Sequence, residues 1–301
     1  MTDPAALQEK LGTSGIVRAQ AGNGSLTRLN VYSDLASAQI YLHGAHVTHF
    51  QPRGAEPLLF MSAASHFQPD KPIRGGIPVI FPWFGLRAGH PQDPPHGFAR
   101  LREWQLESCE VTADGSVRIS LALNDDEQTR RQWPFAFAMR LTAHIAAHLE
   151  ITLEVRNPSP QAIEFEEALH TYFNVGDVRR ATVEGLDGVQ YVDRVGDVSR
   201  KTQPPGGVTF VGETDRLYLH TRASTVVRDP VLGRSITIDK DGSECTVVWN
   251  PWIAKARAMA DFGDDEWPRM LCVETANAAD CAVRLAPGAT HRMRTRISLS
   301  S

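Results

Sequence analysis

The sequence predicts an all-β protein: many short antiparallel strands forming a sandwich or barrel, with few short helices. Three observations carry that expectation. Apolar residues recur with period two in several separate runs, turn-forming clusters punctuate those runs, and helical periodicity is weak throughout. Period two places one face of a strand on a core and the other in water, as in antiparallel sheet. The lack of helices alternating with the strands argues against a parallel α/β sheet.

Taken in order, Ala5 to Leu11 predicts one short helical turn before Gly12. The stretch Tyr41-Leu42-His43-Gly44-Ala45-His46-Val47-Thr48-His49 follows. On a helix its three histidines would gather into a metal site. Gly44 and the β-branched Val47 and Thr48 favour a strand, on which successive members point to opposite faces and cannot share one ion. They are read as surface or packed histidines. Alternation then marks strands at Val117, Ile119, Leu121 and Leu123, at Leu149, Ile151, Leu153 and Val155, and at Met293, Ile297 and Leu299. Asp125 to Gln132 is the best further helix, ended by Trp133-Pro134. Turns fall at Asn157-Pro158-Ser159-Pro160, Asp187-Gly188, Pro204-Pro205-Gly206-Gly207 and Asp241-Gly242. No linker or repeat interrupts the pattern, so residues 1–301 are read as a single domain.

The stretch from Lys71 to Arg100 fits neither helix nor ordinary strand. It contains Lys71-Pro72-Ile73-Arg74-Gly75-Gly76-Ile77-Pro78, continues to Pro82-Trp83-Phe84-Gly85, and ends in His96-Gly97-Phe98-Ala99-Arg100. Paired glycines let a backbone approach a ligand closely, and closely spaced prolines stiffen it and permit a cis bond. The stretch is either a rigid turn over the core or a pre-organised wall of a site that aims Arg74 and Arg100 at an anion. The second reading is favoured because later segments supply the rest of a site.

Composition narrows the function. Of 301 residues, 42% are hydrophobic and 22% charged, as in an ordinary soluble globular protein. A net charge of −4 argues against nucleic acid and against an anionic membrane as partners, since both call for a basic surface. Cys109, Cys245, Cys272 and Cys281 match neither a disulfide framework nor a zinc spacing, and reduced thiols are expected. Met1-Thr2-Asp3-Pro4 lacks the basic segment and apolar run of a signal peptide, and no window reaches the ~20 apolar residues of a membrane span. A cytoplasmic monomer is expected.

Four later segments are unusual for core filler. His170 lies among apolar and aromatic residues in Glu167-Ala168-Leu169-His170-Thr171-Tyr172-Phe173. Such a histidine titrates near neutrality, although most are satisfied core residues. Gly212-Glu213-Thr214-Asp215-Arg216 offers carboxylates for sugar hydroxyls, or for a turn and a pair with Arg216. In Val247-Val248-Trp249-Asn250-Pro251-Trp252 a tryptophan face suits a pyranose, or simply the core. Glu274 ends the apolar run Met270-Leu271-Cys272-Val273 and is placed at the end of a buried strand. A carboxylate there is costly unless paired or functional, and burial raises its pKa. No nucleotide loop of the GxGxxG or Walker type is present.

In these motifs and their order, through most of its length, the chain resembles the aldose 1-epimerase superfamily and, more closely, the glucose-6-phosphate 1-epimerases, or hexose-6-phosphate mutarotases. The resemblance implies a large antiparallel β-sandwich of the galactose mutarotase-like type with its site on the concave sheet. It implies an isomerase without metal or cofactor that interconverts the α and β anomers of a hexose 6-phosphate. Position by position, it makes His170 the catalytic acid and Glu274 the catalytic base. Arg74 and Arg100 become substrate and phosphate ligands, Asp215 a hydroxyl ligand, and His96 a contact to the sugar ring. Some relatives carry a substrate-contacting glutamine where this chain has Pro95. The alternatives are a mutarotase for free aldoses such as galactose and a noncatalytic carbohydrate-binding domain. A glycosidase built on Asp215 and Glu274 is the remotest reading.

Overall fold

The alternating runs become strands of two eight-stranded antiparallel sheets in the computed structural model, which describes residues 1–11 and 15–300. One sheet runs, in spatial order, Thr182–Glu184, Thr225–Asp229, Arg234–Asp241, Thr290–Ser300, Leu149–Arg156, Ala138–Ile145, Val117–Asn124 and Gln105–Val111. The other runs Ser199–Thr202, Gln190–Asp193, Thr214–Tyr218, Cys245–Asn250, Met270–Asn277, Glu167–Leu169 and Val79–Ile80, with Tyr172–Asn174 also paired to Met270–Asn277. A four-stranded sheet from Val17–Ala21 to His46–Pro52 and a two-stranded ribbon complete the large antiparallel β-sandwich.

The alternation works as expected. Leu149, Ile151, Leu153 and Val155 are buried, while Glu150, Thr152 and Glu154 between them remain partly exposed. Apolar residues from both large sheets and the four-stranded sheet join one continuous cluster. Each such aliphatic side chain contributes about 1.5–3 kcal/mol on burial. Met270–Asn277 departs from the pattern, because all eight of its residues are buried. A central strand covered on both faces reads as a continuous apolar run, and period two disappears.

The helices are few and short: Pro4–Leu11, Glu127–Gln132 and Trp252–Ala258. The first two match the expected helices, though the expected stop at Gly12 lies outside the described residues. Asp126 caps the second in a reciprocal box with Thr129, worth about 1 kcal/mol. The third falls where the sequence shows only two tryptophans flanking a proline. Pro251 immediately precedes its first turn, and Asn250 Oδ1 accepts from Trp252 N at 2.9 Å.

The three early histidines pack in separate directions. His43 Nε2 lies 2.8 Å from Lys71 O, His46 Nε2 2.7 Å from Gly75 O, and His49 Nε2 3.0 Å from Ser37 Oγ. His46 thereby ties the four-stranded sheet to the glycine wall. Glu167, fully buried, accepts from Asn277 Nδ2 at 2.9 Å and pairs with His291 Nε2 at 2.8 Å.

Burial opposes the His291 charge, but the hydrogen bond and charge of Glu167 outweigh it and raise the imidazole pKa. A raised native pKa gives stability that is complete below the unfolded value and lost as pH rises through the native one. Urea unfolding should therefore show His291→Gln costing most below about pH 6.5 and progressively less above it. A cost independent of pH would contradict the ion pair.

Candidate functional site

The central strands of the second sheet bring the site together through their register. Leu169 pairs with Thr275 and Tyr172 with Cys272, so the unbroken count between them sets His170 opposite Glu274. Residues opposite one another share a face, as do alternate residues along a strand. Val247 stands opposite Glu274, Trp249 opposite Cys272, and Asp215 opposite Trp249. One face therefore presents His170, Tyr172, Asp215, Val247, Trp249, Cys272 and Glu274. Above it lies a cavity of about 920 Å³, whose lining includes Arg74, His96, Arg100, His170, Arg194, Asp215, Trp249, Lys255 and Glu274.

At its base His170 Nδ1 and Glu274 Oε1 are 3.4 Å apart, with both side chains almost wholly enclosed. His170 stacks on Tyr172 at 4.8 Å and meets Trp249 and His96 edge-on. These rings fix the imidazole plane. His170 Nδ1 and Glu274 Oε2 are sealed from solvent without a hydrogen-bond partner.

The wall is built by the glycines and prolines. Gly75 and Gly76 have φ of 110° and 59°, and Gly76 N donates to Phe60 O at 2.7 Å. The Phe81–Pro82 bond is cis. From this wall Arg74 donates to Tyr172 Oη at 2.9 Å and through Nε and Nη2 to Asp261 Oδ2 at 3.2 and 3.1 Å. His96, at φ 64°, accepts on Nδ1 from Gly85 N and packs its edge on Phe84. Arg100 is buried, donates through Nη2 to Pro95 O at 2.8 Å, and leaves Nε unpartnered. Pro95 thus holds an arginine through its main-chain oxygen.

Electrostatics push the central pair away from an ion pair. Burial, with Asp215 adding to it, raises the Glu274 pKa well above the usual carboxylate range, against Arg194 and Arg100. Burial, then Arg100 and Arg74, depresses His170, and His96 is depressed by burial, Arg100 and His170. Burial also raises Asp215, against Arg194 and Lys255. Burial and Arg74 lower Arg100 to about 10, which leaves it charged at neutral pH. For Arg74 burial is overcome by Tyr172 and Asp261, and its pKa rises.

All six residues singled out in the sequence, Arg74, His96, Arg100, His170, Asp215 and Glu274, line this cavity. Two local expectations change. Glu274 is the fifth residue of an eight-residue strand rather than its end. Asp215 does not pair with Arg216, which donates to Gln203 and lies over Tyr191 on the other face. Trp249 reaches the cavity, whereas Trp252 packs on Trp267 at 4.2 Å.

Three further residues carry no signal in the sequence. Arg194 lies over the Phe84 ring at 5.0 Å, and among the described residues its guanidinium forms no ion pair. Lys255, on the unforeseen helix, pairs with Glu213 at 3.0 Å. Cys272 sits beside His170 and Glu274, and one donor atom from each lies within 4.8 Å of the others.

The chain belongs to the aldose 1-epimerase family, whose sequence model matches residues 31–298. It is 36% identical over 272 residues to a protein of Cenchrus ciliaris, covering 88% of this chain and 81% of that one. It is 38% identical over 243 residues to a protein of Escherichia coli (strain K12), covering 81% and 80%. Both relatives bear the provisional name glucose-6-phosphate 1-epimerase. A crystal structure from Salmonella typhimurium, provisionally titled a mutarotase, superposes with a TM-score of 0.90 at 31% identity over 96% of this chain and 95% of that one.

The wall depends on backbone that a side chain would displace. A Cβ on Gly76 would stand 2.3 Å from Val47 O and 2.8 Å from His46 Nε2. Gly76→Ala should therefore cost at least about 1–3 kcal/mol, the scale of left-handed strain alone. Thermal unfolding measures the loss; an unchanged midpoint would remove the packing argument.

Proposed function

We propose that this chain interconverts the α and β anomers of a hexose 6-phosphate, glucose 6-phosphate among them, by acid/base ring opening and reclosure. The observation that carries the proposal is the His170–Glu274 pair, 3.4 Å apart at the base of a cavity ringed by cationic side chains. The provisional names of the relatives support it.

With the pair's single extra proton moved from Glu274 to His170, the Glu274 carboxylate takes the proton of the C1 hydroxyl while the His170 imidazolium protonates the ring oxygen. The hemiacetal opens without a free alkoxide or oxocarbenium ion. The aldehyde carbon turns about C1–C2, and reclosure returns both protons with the roles exchanged. Each positioned proton transfer is worth about 10²–10⁴ in rate. Trp249 supplies an apolar face for the ring, His96 a contact to it, and Asp215 an acceptor for a hydroxyl. Arg74, immobilised by Asp261 and Tyr172, and Arg100, with its free Nε, hold the substrate and its phosphate, and Arg194, which forms no ion pair among the described residues, adds a third guanidinium. Fork-shaped guanidinium groups suit phosphate better than a free hydroxymethyl, which favours phosphorylated over free aldoses.

The buried cluster extends from Leu7 to Ile297, which supports a single domain. The four free cysteines support a reducing, cytoplasmic setting, and we read the protein as a monomer. No described helix is long and apolar enough to cross a membrane.

Exchange NMR of glucose 6-phosphate anomers tests the activity. Clean wild-type protein should accelerate exchange, and Glu274→Gln should abolish the acceleration; no acceleration by wild type rejects the proposal. The rate should fall with pH as Glu274 takes up its proton, at a pH above the ordinary carboxylate range. Arg194→Ala should weaken glucose 6-phosphate by roughly 10–100-fold, the scale of one charged hydrogen bond, with little effect on free glucose. Equal losses on both sugars would refute the anchoring role.

A further inference from the structure

Two sealed polar atoms at the base of the cavity, His170 Nδ1 and Glu274 Oε2, have no hydrogen-bond partner. Orphaned buried groups of this kind are rare and call for a ligand, a water or an ion. The proposed chemistry employs the imidazole and the carboxylate but leaves Cys272 without a task. Yet the register places the thiol on the same face, opposite Trp249 and Tyr172, and donor atoms of all three side chains lie within 4.8 Å of one another.

An imidazole nitrogen and a thiolate sulfur beside a carboxylate oxygen suit zinc and its neighbours, whereas magnesium and calcium favour oxygen ligands throughout. Bonds of about 2.0–2.3 Å in a tetrahedron separate ligands by roughly 3.3–3.8 Å, so side chains spread over no more than 4.8 Å need close by at most about 1 Å. His170 and Glu274 border the cavity, which gives an ion a route in and leaves a fourth position for water. Among the described residues no other histidine, cysteine and carboxylate group meets this spacing.

We propose that His170, Cys272 and Glu274 bind a zinc-class divalent cation, and that the bound ion silences the site by occupying its acid and its base together. Binding releases the Cys272 thiol proton, and any proton on Glu274, to water. No electrons move. The silencing rests on the function proposed above; the binding does not.

The full-length protein, stripped of metal, is titrated with Co²⁺ followed by absorbance and with Zn²⁺ followed by calorimetry. One ion per chain and a thiolate-to-cobalt charge-transfer band are expected. Cys272→Ser and Cys272→Ala should lose the band and weaken zinc by at least about 10–100-fold, while Cys109, Cys245 and Cys281 remain as internal controls. Zinc should halt anomer exchange by wild type, and both variants should exchange anomers normally and resist zinc. No band in wild type at millimolar metal, or the same band in both variants, overturns the site. Zinc bound through Cys272 without loss of exchange overturns the silencing. If wild type catalyses no exchange, the absorbance and calorimetry still decide the site.

Discussion

The site depends on one strand register. Glu167–Leu169 and Tyr172–Asn174 pair with Met270–Asn277 in one common register on either side of a break at His170 and Thr171, and this sets an imidazole across from a carboxylate. A slip of one residue would turn Glu274 toward the core and Val273 toward the cavity, because side chains alternate with period two. Register is held on both sides. Cys245–Asn250 pairs along the other edge of Met270–Asn277, and Glu167 locks to Asn277 and His291 on the opposite face. A buried, unpaired carboxylate is costly, typically several kcal/mol, so the fold must over-determine its position.

The charges around the pair follow from that placement. Burial alone would keep Glu274 protonated and His170 neutral, and Asp215 reinforces the first effect. Arg100 acts on both groups in the sense useful for a base, stabilising the carboxylate while withholding charge from the imidazole. The ligand-free site therefore favours a protonated carboxyl beside a neutral imidazole over an ion pair. An incoming phosphate would offset the arginines and restore proton affinity to the imidazole, which links recognition of the far end of the sugar to readiness at C1.

Much of this is legible in the sequence. Runs such as Leu149 to Val155 betray their sheet because only one face is buried, and Gly75-Gly76 betrays a wall because no Cβ fits beside Val47. The family motifs identify six cavity residues. What was not legible depends on neighbours distant in sequence. Met270–Asn277 hides its two faces because both are covered, so Glu274 reads as a strand end. Arg194 is one of 31 lysines and arginines and is distinguished only by Phe84 beneath it and by its place in the cavity, within reach of the charges of Asp215 and Glu274. Cys272 gains meaning only from the histidine a hundred residues earlier, and Lys255 only from a helix that no apolar period announces.

Nitrogen-15 NMR of the His170 ring against pH, in wild type and in Glu274→Gln, tests the facing neutral pair most directly. A His170 ring that stays neutral through the ordinary titration range near 6.5, and whose resonances shift when Glu274 loses its carboxyl group, is the expected result. A ring that titrates near 6.5 in both proteins, with the same shifts, would mean that the two side chains do not face each other as described.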